Sequence, residues 1–155
     1  MHNRRWVTAA PFRAHLTHLC ASTELPWSVI ALHAGLPVGL VHHLLDTRPG
    51  RGVERIAPKF ARQVLALKAQ PLAELRSALV PAAAARHAAG CLLDRRWTTN
   101  TLAWRLHDSV VGMDALVAGQ RSHVPALLEL RLRALVATAE PAPGARRRDP
   151  ASIAA

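Results

Sequence analysis

Apolar residues recur along this chain at helical spacing, and prolines and glycines divide the pattern into segments. Pro11 suits the first turn of a helix. Phe12, Leu16 and Leu19 then form a stripe that continues to about Ser22. Leu25 and Pro26 open the next segment, residues 27–34, which Gly35 ends. Pro37 starts a further helix to about Leu45. Residues 47–57 read as a loop rich in Gly, Pro and Arg. Pro58 begins a helix with Phe60, Val64 and Leu67 on one face. Pro71 interrupts, and a short helix over about 72–79 stops before Pro81. The final helix runs through Leu127, Leu130, Leu132 and Leu135 to about Ala139.

The pattern restarts in the second half. Pro11 and Trp27 have the spacing of Pro81 and Trp97, and each Pro leads a helix that carries a cysteine, Cys20 or Cys91. Each Trp leads a short helix. A loop with arginine follows, then Pro58 or Pro125, then a long apolar helix. This reads as a degenerate duplication at an offset of about 70 residues. The competing explanation is chance, because Ala/Leu-rich helices resemble one another. The expected organisation is a basic arm over 1–8, a first unit over 9–69, a second over 70–139 and a disordered tail over 140–155. The tail has three prolines, an arginine triplet and no apolar period.

Composition supports helices. Half the residues are apolar but only 4% are aromatic, so the core is aliphatic and small. β-branched runs are absent. The expectation is an all-α, compact helical protein of about eight or nine helices built from two tandem units. The formal charge is +10, which points to a polyanionic partner. Residues 1–69 hold nine basic and three acidic side chains, against eight and five in 70–139, so the first unit is the stronger candidate. Cys20 and Cys91 are expected reduced and buried. With no secretory h-region and no apolar run long enough to span a bilayer, the expected location is cytoplasmic, associated with the nucleoid.

Residues 27–46 satisfy the steric pattern of a helix-turn-helix. Ala31 supplies the small residue where two helices cross. Gly35, four positions on, supplies the left-handed turn. Val41, six further on, points back into the core. Ile30, Ala34, Leu36 and Leu44 are also apolar, as the flanking buried positions require. The competing reading is an ordinary αα-hairpin. In the second unit Ala103, Met113 and Leu116 take the places of Ala31, Val41 and Leu44, but the turn is His107 followed by Asp108. That unit is expected to fold similarly with a weaker case for docking on DNA.

The stretches VTAAPFRAHLTHLCAS, WSVIALHAGLPVGLVHHLL and RPGRGVERIAPKFARQVLAL resemble helix-turn-helix DNA-binding proteins common in actinobacteria and their phages, over residues 7–67. The resemblance implies a regulatory DNA binder and names no target. One departure matters. The expected recognition helix contains no Arg, Asn or Gln, the usual bidentate readers of bases.

Such a helix enters the major groove by its N-terminal end, which directs Val38, Gly39, His42 and His43 at base edges. Arg48, Arg51 and Arg55 in the next loop are expected on phosphates, as is Ser28 near the start of the preceding helix. Arg4 and Arg5 of the arm could enter a minor groove. Arg121, in the corresponding loop of the second unit, completes the set. Each arginine has an alternative as a solvated surface residue. No metal-ligand spacing and no catalytic constellation stands out, so no cofactor, metal or enzymatic activity is expected. The predicted partner is double-stranded DNA, bound by a repressor-like regulator. A weakly specific architectural binder and a helical protein-interaction module are the alternatives. A homodimer or a protein partner through the second unit is the further partner open.

Overall fold

A computed structural model describes residues 5–144. The first unit consists of β1 (Val7–Thr8), α1 (Ala10–Thr23), α2 (Trp27–His33), α3 (Val38–Leu45), β2 (Arg55–Ile56) and α4 (Pro58–Leu65). A short helix, α5 (Ala69–Glu74), follows. The second unit consists of β3 (Leu79–Pro81), α6 (Ala83–Asp94), α7 (Thr99–Leu106), α8 (Val110–Val117), β4 (His123–Pro125) and α9 (Ala126–Ala137). Among the described residues there are thus nine helices, and the order strand, three helices, strand, helix occurs twice. The expected helical architecture holds. It gains two small antiparallel pairings, β1 with β2 and β3 with β4, which close each unit by joining its start to the residues before its last helix. These strands are two or three residues long and carry too little period to be read from sequence. Pro71 does not interrupt a helix: it sits in the first turn of α5, where its missing N–H costs nothing, and the helix expected over 72–79 ends at Glu74, with Leu79 already in β3.

The equivalences between the units differ from those that Pro and Trp suggested. Ala9 and Ala82 are both buried, and each donates its N–H to the loop before the closing strand, to Glu54 O at 2.8 Å and Ser122 O at 2.9 Å. Leu25 corresponds to Trp97: both are buried, and each follows a left-handed residue, Glu24 or Arg96. Trp27 heads α2, whereas Trp97 lies before α7, and Cys20 and Cys91 do not correspond. Both cysteines are free and half-buried rather than fully buried. Burial pushes the Cys20 thiol up from its ordinary value. Ile56 and Val124, paired with Val7 and Val80, are again equivalent. The loop before that strand is four residues longer in the first unit, spanning 46–54 against 118–122.

Each unit has its own apolar core, and α9 belongs to both. Ala126, Leu130 and Ala134 join the first core, while Leu128, Leu132 and Leu135 join the second. At 100° per residue these triplets lie on opposite sides of the helix. The expected boundary of the tail also moves. Glu140 is held by Arg105 at 3.0 Å, and Ala142 is buried in the second core, so the chain packs through these residues. Residues 145–155 lie outside the described residues.

Two predictions follow from this packing. Leu130→Ala and Leu132→Ala, one in each core, should each cost about 2–5 kcal/mol. Because α9 serves both cores, each variant should unfold in one transition at a lower temperature, seen by circular dichroism. The second concerns the turns. Gly35 and His107 both have positive φ, +67° and +55°. Only glycine takes this region without a Cβ penalty. Gly35→Ala should therefore destabilise by about 1 kcal/mol, and His107→Gly should stabilise by a fraction of that, measured by the same melts.

Candidate nucleic-acid interface

The candidate interface is built on α2, its turn and α3. Ala31 is wholly buried where α3 crosses α2. Gly35 turns the chain, and Leu36 N–H donates to Ala31 O at 2.9 Å, closing the helix end. Leu36, Val41 and Leu44 then anchor the turn and α3 in the core. The opposite side of α3 presents Gly39, His42 and His43 to solvent. A Cβ at Gly39 would meet nothing within 4 Å, so this position is open to a close approach from outside. The His42 ring lies 5.4 Å from Trp27 and 5.6 Å from His43, centroid to centroid, which fixes its orientation. The two histidine rings thus meet edge to face rather than point apart.

The far end of α3 is clamped. Arg13 of α1 donates Nε to Leu44 O and Nη2 to Val53 O, at 2.6 and 2.9 Å. Gly52 brings the following loop against the helix end, where a Cβ would stand 2.5 Å from Asp46 O, so no larger residue fits without a shift. The near end is open. Pro37 occupies the N-cap position and provides no side-chain cap, which leaves the first-turn N–H groups available to an acceptor.

The remaining expected contacts divide. Arg5, Arg51 and Arg55 are exposed, with Arg55 on β2 opposite Thr8. Arg4 lies outside the described residues. Val38 is half-buried against the first core, so only part of it faces outward. Ser28 is 9% exposed because α2 packs on α9, and this removes it as a phosphate contact. Arg48 is exposed and pairs with Asp46, Nη2 to Oδ2 at 2.6 Å with Nε also donating, so a phosphate would compete with that carboxylate for it. Arg121 is only partly exposed: it bonds Asp108 at 2.8 Å and faces a cavity lined by Arg76 and by residues of the second unit. Sequence reasoning also missed Trp6, which is 54% exposed and lines a cavity with Lys59 and Arg62 beside the arm. An aromatic face flanked by two cations suits nucleic acid, and its signal, the adjacent Arg5 and Trp6, was present in the sequence.

The second unit reproduces the backbone and alters the surface. His107 adopts the left-handed turn, and Asp108 N–H donates to Ala103 O at 3.0 Å as Leu36 does to Ala31. Both of its inner helices are capped, α7 by Thr98 in a capping box with Thr101 and α8 by Ser109. Asp114 stands where the first unit has His42, and Val111 stands where it has Gly39. A capped helix with a carboxylate on this face disfavours phosphate.

Among the described residues no helix is long and apolar enough to cross a membrane, and no three potential ligands gather as a metal site. Comparison with protein-family models, curated proteins and solved structures finds no match to this chain.

Arg48 has a consequence for acid stability. Its hydrogen bonds hold the Asp46 carboxyl far below the usual carboxylate range. A lowered folded-state value contributes stability above the unfolded-state value of about 4, and this stability fades as pH falls towards the folded-state value. Asp46→Asn should therefore melt below the wild type at pH 7, and the gap should narrow at pH 3.

Proposed function

We propose that this protein binds double-stranded DNA through its first unit and acts as a repressor-like regulator. The observation that carries the reading is the contrast between two copies of one scaffold. In the first, α3 is uncapped at its N-terminus and presents Gly39, His42 and His43. In the second, α8 is capped by Ser109 and presents Val111 and Asp114. The resemblance of residues 7–67 to actinobacterial and phage helix-turn-helix proteins supports the same reading.

On this proposal α3 lies in the major groove. Its open N–H groups and the arginines Arg51 and Arg55 take phosphates, and Arg5 with Trp6 extends the contact from the arm. His42 and His43 can donate to guanine acceptors, a weaker code than bidentate arginine. Specificity is therefore modest, and much of the affinity is electrostatic. A protein partner for the second unit is the alternative favoured by a separate observation. Trp104 and Val111 are 77% and 79% exposed, an unusual display of apolar surface on a helical pair.

Selection of bound duplexes from a random pool tests the proposal. A recovered motif is expected, with His42→Ala and His43→Ala relaxing its sequence while leaving affinity for random DNA nearly unchanged. Arg51→Ala should weaken all duplexes alike and reduce the slope of log K against log salt by about one. Retention of full affinity and selectivity by the triple variant would reject α3 as the reading element.

A further inference from the structure

A second basic cavity, of about 260 Å³, lies where the segment after α5 meets the second unit, and none of its lining residues belongs to α3. Arg76 enters it from the segment after α5, Arg131 from α9 and Arg121 from the loop before β4. His107 and Asp108, the turn between α7 and α8, form another wall. Three guanidinium groups therefore share this space with one carboxylate. That carboxylate is already engaged: Asp108 accepts from Arg121 at 2.8 Å and from the Ser109 N–H at 2.9 Å.

Arg76 and Arg131 are left without an acidic partner. Arg76 donates to Thr23 O at 2.8 Å and Arg131 to Leu106 O at 3.3 Å, and among the described residues neither forms an ion pair. Glu140, which shares a neighbouring cleft with Arg131, is held by Arg105. Arg131 is half-buried as well as surrounded by like charge. Desolvation first, then the charges of Arg105 and Arg76, lower its pKa from the ordinary arginine value. Cations gathered in a partly dry cleft repel one another, and an anion placed among them relieves that repulsion.

We propose that this cavity binds a small phosphate-bearing anion between Arg76 and Arg131. Planar guanidinium forks suit phosphate oxygens, and each retains donors beyond its single bond to a carbonyl. The volume suits a phosphate or pyrophosphate group rather than a large ligand. His107 adds a further donor on the wall formed by the second turn. A bound anion would tie the segment after α5 to α9. The site does not depend on DNA binding by α3.

The test is thermal unfolding of the full chain in sodium pyrophosphate against sodium chloride of equal ionic strength. The wild type is expected to gain roughly 8 °C at a hundredfold excess over the dissociation constant. Arg131→Gln and Arg76→Gln should each lose most of that gain, whereas Arg133→Gln, exposed on the same helix, should keep it. Circular dichroism checks that each variant folds. If Arg131→Gln does not fold, Arg76→Gln decides alone. An equal gain in the wild type and in both cavity variants would mean general screening and overturn the proposal. No gain in the wild type would overturn it too. A gain from a short DNA duplex that Arg131→Gln abolishes, with none from pyrophosphate, would assign the cavity to the DNA backbone and reject a small-anion site.

Discussion

The packing of α9 against both cores fixes the rest of the molecule. Ala126, Leu130 and Ala134 on one side and Leu128, Leu132 and Leu135 on the other leave it little polar surface. A helix buried on opposite sides cannot slide or rotate without exposing one set, so the two units are held in a defined relation. That relation decides two features far from α9's own chemistry. It draws α2 against the second unit and buries Ser28. It also leaves Arg131 half-buried, with Arg76 and Arg105 nearby.

The two copies illustrate how one backbone can be kept while its surface is reassigned. The crossing needs a small residue, met by Ala31 and Ala103, and the turn needs positive φ, met by Gly35 and His107. Those requirements are steric and tolerate little change. The surface of the second helix is under no such constraint. It became open and histidine-bearing in one copy, and capped, acidic and apolar in the other. The longer loop of the first copy adds Arg48 and Arg51. Of these, Arg48 shares an exposed ion pair with Asp46.

DNA binding as proposed here would rest on position more than on base chemistry. In that proposal only Gly39, His42, His43 and part of Val38 would face the groove, so contacts through open N–H groups and exposed arginines would carry more of the energy. Such an interface gives affinity that salt weakens and sequence modulates mildly. The second unit, with its different surface, would then contribute geometry, or a partner, rather than a second reading head.

The chain itself determined most of the helices, the crossing residues Ala31 and Ala103, both turns and the recurrence of the element pattern. All of these rest on local rules: apolar period, backbone sterics and the placement of Pro and Gly. The same local cues misassigned the register of the repeat, because Pro81 and Trp97 stand at conspicuous spacing but on different elements from Pro11 and Trp27. Only the tertiary structure decided which expected contacts remain available. Ser28 is buried and Arg121 is paired with Asp108, 13 residues away, while the cavity beside α9 gathers Arg76, Arg121 and Arg131, which no local pattern connects. Charge and burial are properties of the packed whole. A sequence can show that an arginine is present, but what it faces depends on helices that meet only after folding.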